Sequence, residues 1–161
     1  MDLENLKIVE TSKKDLDNIR KLWASGEVMC YVGFPQGLHY SRDEIEKWYE
    51  KLDKDRLRKN HFSIYFNEEF CGETFYSIDN QKSSSVDIKL FPKFRGIGIG
   101  SKALQFAIDK AFEMGAKRCC VDPNRDNLKA IALYERLGFE RKEFPEGKNP
   151  GPNYLYFEIE K

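Results

Sequence analysis

At 161 residues the chain has room for one domain with a substantial core and not for two, so a single domain over residues 1–161 is expected. Its 27 Lys and Arg balance its 27 Asp and Glu, which offers neither a basic stripe for nucleic acid nor an acidic tail and points to a small-molecule partner. Cys30, Cys71 and the adjacent Cys119 and Cys120 form no C-x-x-C pair and no disulfide framework. Together with an N-terminus lacking a basic and apolar leader, they suggest a reduced, cytoplasmic protein with no membrane partner.

Leu6 to Glu10 alternates as a short strand, and Thr11 and Ser12 then offer a cap for a helix carrying Leu16, Ile19, Leu22 and Trp23 at helical spacing, with Gly26 marking its end. From Glu27 to Tyr40 there is no period, but Tyr31, Phe34 and Tyr40 gather among Gly33, Pro35 and Gly37. These rings either fill a gap between helices or form a lid over a substrate. Ser41-Arg42-Asp43-Glu44 reads as a capping box opening a second helix, whose apolar face is Ile45, Trp48, Tyr49 and Leu52 and whose charged end, Lys51 to Lys59, is solvated. His61 to Phe66 and Phe70 to Ile78 predict a hairpin turning at Asn67-Glu68-Glu69, and Asn80 to Ser85 reads as a polar loop.

The stretch with chemical content follows. Val86, Ile88 and Leu90 alternate as a strand that Pro92 stops, and Gly96, Gly98 and Gly100 then open a helix with Leu104, Ala107, Ile108, Ala111 and Phe112 on one face. Such a junction leaves backbone N–H groups without partners at a helix end of partial positive charge, a setting suited to phosphate. Arg95 at its entrance would add a guanidinium. The same glycines would also serve a plain tight turn. Gly115 caps the helix, Arg118 to Val121 is a short buried strand, and a turn-rich link, Asp122 to Asn127, leads into a helix through Leu128, Ile131, Tyr134 and Leu137 that stops at Gly138. Phe139 to Phe144 and Tyr154 to Ile159 are the last strands.

Gly98 to Ala103 also fits the dinucleotide pattern G-x-G-x-x-A, with Asp122 downstream. It follows an antiparallel hairpin, however, instead of opening a parallel αβ series, which argues against a nicotinamide cofactor.

Two motifs carry a resemblance. Arg95-Gly96-Ile97-Gly98-Ile99-Gly100 is similar to the R/Q-x-x-G-x-G/A pyrophosphate loop of the GNAT N-acetyltransferases, and Asn127, Ala130, Tyr134, Gly138 and Phe139 stand where their next motif, N-x-x-A-x-x-x-Y-x-x-x-G-F, requires them. The likeness spans Val86 to Lys142, and within the family it looks most like the aminoglycoside 6'-N-acetyltransferases. It implies an α/β (α+β) GNAT fold: a mixed, twisted sheet of about six to seven strands, its central strands splayed around pantetheine, with about four helices. It implies acetyl-CoA as cosubstrate and no metal.

In that frame, backbone from Arg95 through Gly96, Ile97, Gly98, Ile99 and Gly100 to Ser101 would hold the pyrophosphate, and the backbone at Leu90 would bond the acetyl carbonyl. Tyr134 would protonate the departing thiolate. Asn127 would contact pantetheine or its helix, and it is also an ordinary N-cap residue. An amine must lose a proton before it attacks, and Asp122, Asp87 and Glu73 are the candidate bases. Asp122 resembles a substrate-side aspartate of the aminoglycoside enzymes, or it makes an Asx turn before Pro123. Asp87 and Glu73 lie in alternating strands, where a carboxylate ordinarily occupies the solvated face. His39 and His61 lie outside any motif. The expected reaction is acetyl transfer to a primary amine of a small molecule, aminoglycoside-like or polyamine-like, by direct attack in a ternary complex. A peptide or protein N-terminal acetyltransferase, a non-catalytic acyl-CoA sensor and a homodimer remain open.

Overall fold

Asn67 and Glu68, both at positive φ (51° and 64°), make the two-residue turn between β2 (Lys59–Phe66) and β3 (Glu69–Ile78), the backbone geometry that suits the twist of a tight hairpin. The computed structural model describes residues 2–161 and builds one seven-stranded sheet around this hairpin. β1 (Leu6–Glu10) pairs with β2, β4 (Ser83–Leu90) with β3, and β5 (Arg118–Val121) with β4, while β7 (Tyr156–Glu160) and β6 (Glu140–Lys142) complete the far edge in the order β1-β2-β3-β4-β5-β7-β6. Every pairing is antiparallel except β4 with β5. The mixed sheet and its strand number agree with the expectation. The helices are α1 (Leu16–Ala24), the single-turn α2 (Gly26–Met29), α3 (Arg42–Asp53), α4 (Ile99–Glu113) and α5 (Leu128–Arg136). None of the described helices is long and apolar enough to cross a membrane.

Strand alternation divides the sheet's contents. Phe62, Tyr76 and Val86 pack with Leu104 and Ile108 of α4, and this cluster extends to Val121, Tyr134 and Phe157. The opposite face of β2 to β4 carries His61 across from Phe75, Ser63 across from Glu73, and Lys89 and Asp87 beyond them. That face is polar, yet it is covered: the Trp23 indole of α1 bonds Glu73, and Trp48 of α3 meets the His61 ring edge-on at 4.9 Å. The capping box at Ser41 is present in both directions, with Glu44 N–H donating to the Ser41 hydroxyl (3.1 Å) and Ser41 N–H to the Glu44 carboxylate (2.6 Å).

Two local expectations are corrected, and a third segment is divided between the alternatives left open for it. Ser83 to Ser85, read as loop from their polarity, form the start of β4 and carry its whole pairing with β5, a partner that arrives more than thirty residues later. Gly26 does not cap α1, which ends at Ala24 with Ser25 as its C-cap; it starts α2, and a Cβ there would lie 2.4 Å from the Pro35 carbonyl oxygen, so glycine is required for close approach of the loop. The aromatic segment from Glu27 to Tyr40 is divided. Tyr40 packs edge-on against Trp23 (5.4 Å) as core, and Leu38 N–H bonds Trp23 O (2.7 Å), whereas Tyr31, Val32 and Phe34 are exposed.

Candidate functional site

β4 and β5 are joined by three residue pairs, Ser83 with Arg118, Ser84 with Cys119 and Ser85 with Cys120, and then part. Phe91 N–H bonds Cys71 O and Asp79 N–H bonds Ser83 O, so odd-numbered residues of β4 turn their backbone to β3 and even-numbered ones turn it to β5. Past the last pair, the N–H groups of Ile88 and Leu90 therefore open on the gap between the parted strands. This gap is the floor of a cleft of about 880 Å³ walled by α2, the glycine loop, the turn after β5, and α5. The splayed strands expected from the resemblance are present.

The glycine loop forms one end. Gly98 is the N-cap of α4 with φ 95°, a left-handed conformation that a side chain would strain. The first N–H donated into the helix from this end is that of Lys102, to Gly98 O (3.3 Å). The N–H groups of Gly96, Ile97, Gly98, Ile99, Gly100 and Ser101 thus have no acceptor among the described residues, and together they form the anion cradle the sequence predicts. Gly96, Gly98, Gly100 and Ser101 line the cleft, whereas the Ile99 side chain is fully buried in the core with Phe94 and Ala103. Arg95 also lines the cleft, but its guanidinium is partly committed: Nε donates to Leu90 O (3.1 Å) and a terminal nitrogen to Glu27 O (3.3 Å), tying α2 to the end of β4.

Tyr134 marks the other end. Its ring is buried against Phe139 (5.8 Å between centroids), while its hydroxyl meets no hydrogen-bond partner among the described residues. Burial pushes that hydroxyl's pKa upward, and the charges of Asp87 and Asp122 add to the push. Asp122, itself exposed, borders the cleft with no Lys, Arg or His nitrogen within 4 Å among the described residues; partial desolvation and the charge of Asp87 shift its carboxyl upward from its ordinary value. Asn127 caps α5 by accepting Ala130 N–H (3.3 Å) and also lines the cleft.

Glu73 overturns the expectation of a solvated carboxylate. It is 1% exposed, accepts from Trp23 Nε1 (2.6 Å) and is bonded to His61 Nδ1 (2.9 Å), and it lies outside the cleft lining. Of the three candidate bases, Asp87 and Asp122 come together at Tyr134 and Glu73 does not. Two residues that motif reasoning passed over stand beside them. Lys89, its side chain 12% exposed, pairs with Asp87, and burial, which alone would lower its pKa, is outweighed by Asp87 and Glu73 so that it stays cationic. His61 is buried with its Nε2 unpartnered among the described residues. Counting back from the turn, which fixes Phe66 against Glu69, would set Ser63 across from Gly72; a bulge at Ile64 and Tyr65 shifts the register by one and brings Ser63 across from Glu73, with His61 two residues further along the same face, so no signal local to the turn reveals this cluster.

The family description "Acetyltransferase (GNAT) domain" matches residues 5–140 of the chain. An uncharacterized N-acetyltransferase of Methanocaldococcus jannaschii, MJ1207, is 30% identical over 149 residues, which are 87% of this chain and 63% of that one. A second, YjgM of Escherichia coli, is 43% identical over 56 residues, 35% of this chain and 34% of its own. The chain thus spans less than two thirds of either curated relative. Among solved structures, the spermidine N-acetyltransferase of Vibrio cholerae in complex with CoA and spermine superposes with a TM-score of 0.81 at 22% identity, covering 97% of this chain and 95% of that one. The ribosomal-protein-alanine N-acetyltransferase of Brucella melitensis does so with a TM-score of 0.79 at 18% identity, covering 96% and 99%. At these identities the two likenesses speak for the fold.

Proposed function

Because the chain belongs to the GNAT acetyltransferase family, we propose that it is an acyltransferase that moves acetyl from acetyl-CoA to a primary amine by direct attack within a ternary complex. The observation that carries this reading is a single cleft with unpartnered backbone donors at one end and Tyr134, Asp87 and Asp122 at the other. A pyrophosphate fits the cradle from Gly96 to Ser101, where backbone N–H groups and the α4 terminus supply positive potential without a counter-charge to displace. CoA in the Vibrio structure, and acetyl-CoA in the Salmonella typhimurium yncA structure, support the same ligand here. Pantetheine would then run along the parted strands.

The free N–H of Leu90 would donate to the thioester oxygen, a bond that strengthens as negative charge collects there in the tetrahedral intermediate. Asp122, its carboxylate unpaired, would hold the ammonium and pass to water the proton it must lose before its nitrogen can attack. The new bond joins nitrogen to the acetyl carbon, the nitrogen sheds its second proton to water, the carbon–sulfur bond breaks, and the electron pair leaves on sulfur. An ordinary thiol titrates near 8.5, well below a phenol raised above its usual 10, so complete proton transfer from Tyr134 is uphill. Tyr134 serves instead as a fixed hydrogen-bond donor to the developing thiolate, and the thiolate leaves the cleft as such or takes its proton from water.

The test is thiol release from acetyl-CoA with a panel of amines, run beside calorimetric CoA binding. Amine-dependent release is expected. CoA binding with no release on any amine would instead make the protein a sensor, and absence of both would remove the reading.

A further inference from the structure

We propose that the acceptor is a monocation, one amine carried on an apolar body, and that Lys89 sets this preference; the proposal rests on the acetyl-transfer reading and narrows its substrate. The reacting end of the cleft is defined by the Tyr134 hydroxyl, around which two carboxylates stand, Asp87 and Asp122. A polyamine or aminoglycoside brings several ammonium groups and needs several unpaired carboxylates to receive them. Here one of the two is already paired. Lys89 Nζ bonds the Asp87 carboxylate, and the two side chains are only 12% and 26% exposed.

Lys89 is also fixed in place. It stands across the strand pair from buried Glu73, and its ammonium lies 5.1 Å from the centroid of Phe75, the residue across from Asp87. Swinging out to solvent would strip Asp87 of its partner and leave Glu73 with one cation fewer in the interior. Asp122 therefore remains as the uncompensated charge at this end, enough for one ammonium, and a second ammonium would meet the Lys89 cation. The cleft's other carboxylates are placed elsewhere: Glu27 sits at the glycine-loop end with its backbone oxygen held by Arg95, and Asp126 lies on the exposed turn before α5, whose Lys129 and Arg136 share that wall. Tyr31 and Val32 also line the cleft while 42% and 45% exposed. Apolar side chains presented to an open cleft favour a body that removes them from water.

The experiment compares kcat/KM for phenethylamine, spermidine, kanamycin and a Ser-Ala peptide at saturating acetyl-CoA. Phenethylamine should exceed spermidine by about tenfold or more. Lys89→Met, which unmasks Asp87, should move that ratio toward spermidine by about tenfold, whereas Lys89→Arg keeps the charge and should keep the wild-type order. The wild-type panel stands whether or not the variants fold. Spermidine, kanamycin or the peptide outperforming phenethylamine overturns the proposal while leaving acetyl transfer intact. An unchanged ratio in a folded Lys89→Met overturns the role of Lys89, and absence of release with every amine overturns this proposal and its parent together.

Discussion

Tyr134→Phe is expected to lower kcat about a hundredfold, with affinity for CoA changed by no more than about twofold. The substitution removes one oxygen. The ring stays packed on Phe139, 6% exposed, and no hydrogen bond among the described residues is broken because the hydroxyl makes none. What is lost is a donor that stays protonated across the physiological range, since burial and two nearby carboxylates push its pKa up from 10. Such a donor contributes where charge develops, on the departing sulfur, and little in the ground state. Pre-steady-state and steady-state thiol release measure the effect. A rise in KM with kcat unchanged would show that the hydroxyl binds substrate and does not assist departure.

Glu73→Ala should be the most damaging single change to the fold, costing about 3–5 kcal/mol and lowering Tm by about 10 °C or more. The carboxylate receives Trp23 Nε1–H, is bonded to His61 Nδ1, and lies near the Lys89 cation, all in the layer between α1, α3 and the sheet. Removing it leaves a buried indole N–H without an acceptor, beside a His61 whose Nε2 already has no partner among the described residues. Glu73→Gln retains an oxygen for one of the two nitrogens and should cost about half as much. The pH dependence has a definite sign. Burial alone would raise the Glu73 carboxyl, but His61, Lys89 and the Trp23 indole outweigh it and hold the folded pKa below its ordinary value. Its contribution is therefore fully present above about pH 4.3, the unfolded value, and is lost as pH falls through the folded one. Denaturant melts of wild type and Glu73→Ala should differ by a constant amount near neutrality and converge in acid; curves that stay parallel to low pH would show that the charge of Glu73 is not what holds the layer.

Features legible in the chain were those set by local rules. The Ser41 capping box, the Asn67-Glu68 turn and the glycine loop into α4 each depend on a few adjacent residues, and each is found where spacing puts it. What was missed depends on neighbours distant in sequence. Glu73 alternates as a solvated residue should, but α1 and α3 come from more than twenty residues upstream to cover it, and Trp23, read as plain apolar core, brings the one N–H it can donate. The three serines of β4 look like loop because nothing local announces β5. Arg95 is read as a phosphate ligand from its motif, whereas only the tertiary placement of α2 reveals that its guanidinium also holds Leu90 O and Glu27 O.

The short seam between β4 and β5 has a further consequence for solvent access. A seven-stranded sheet ordinarily shields the amides of its inner strands from exchange with deuterium, since each must break a ladder bond to open. β4 is an inner strand, yet beyond Ser85 it has a neighbour on one side only. The amides of Ile88 and Leu90 should exchange at rates typical of surface loops, while those of Lys89 and Phe91, one residue away on the same strand and turned to β3, stay protected. A slow–fast alternation along β4 would thus report the open edge directly, and filling of the gap by pantetheine would erase it.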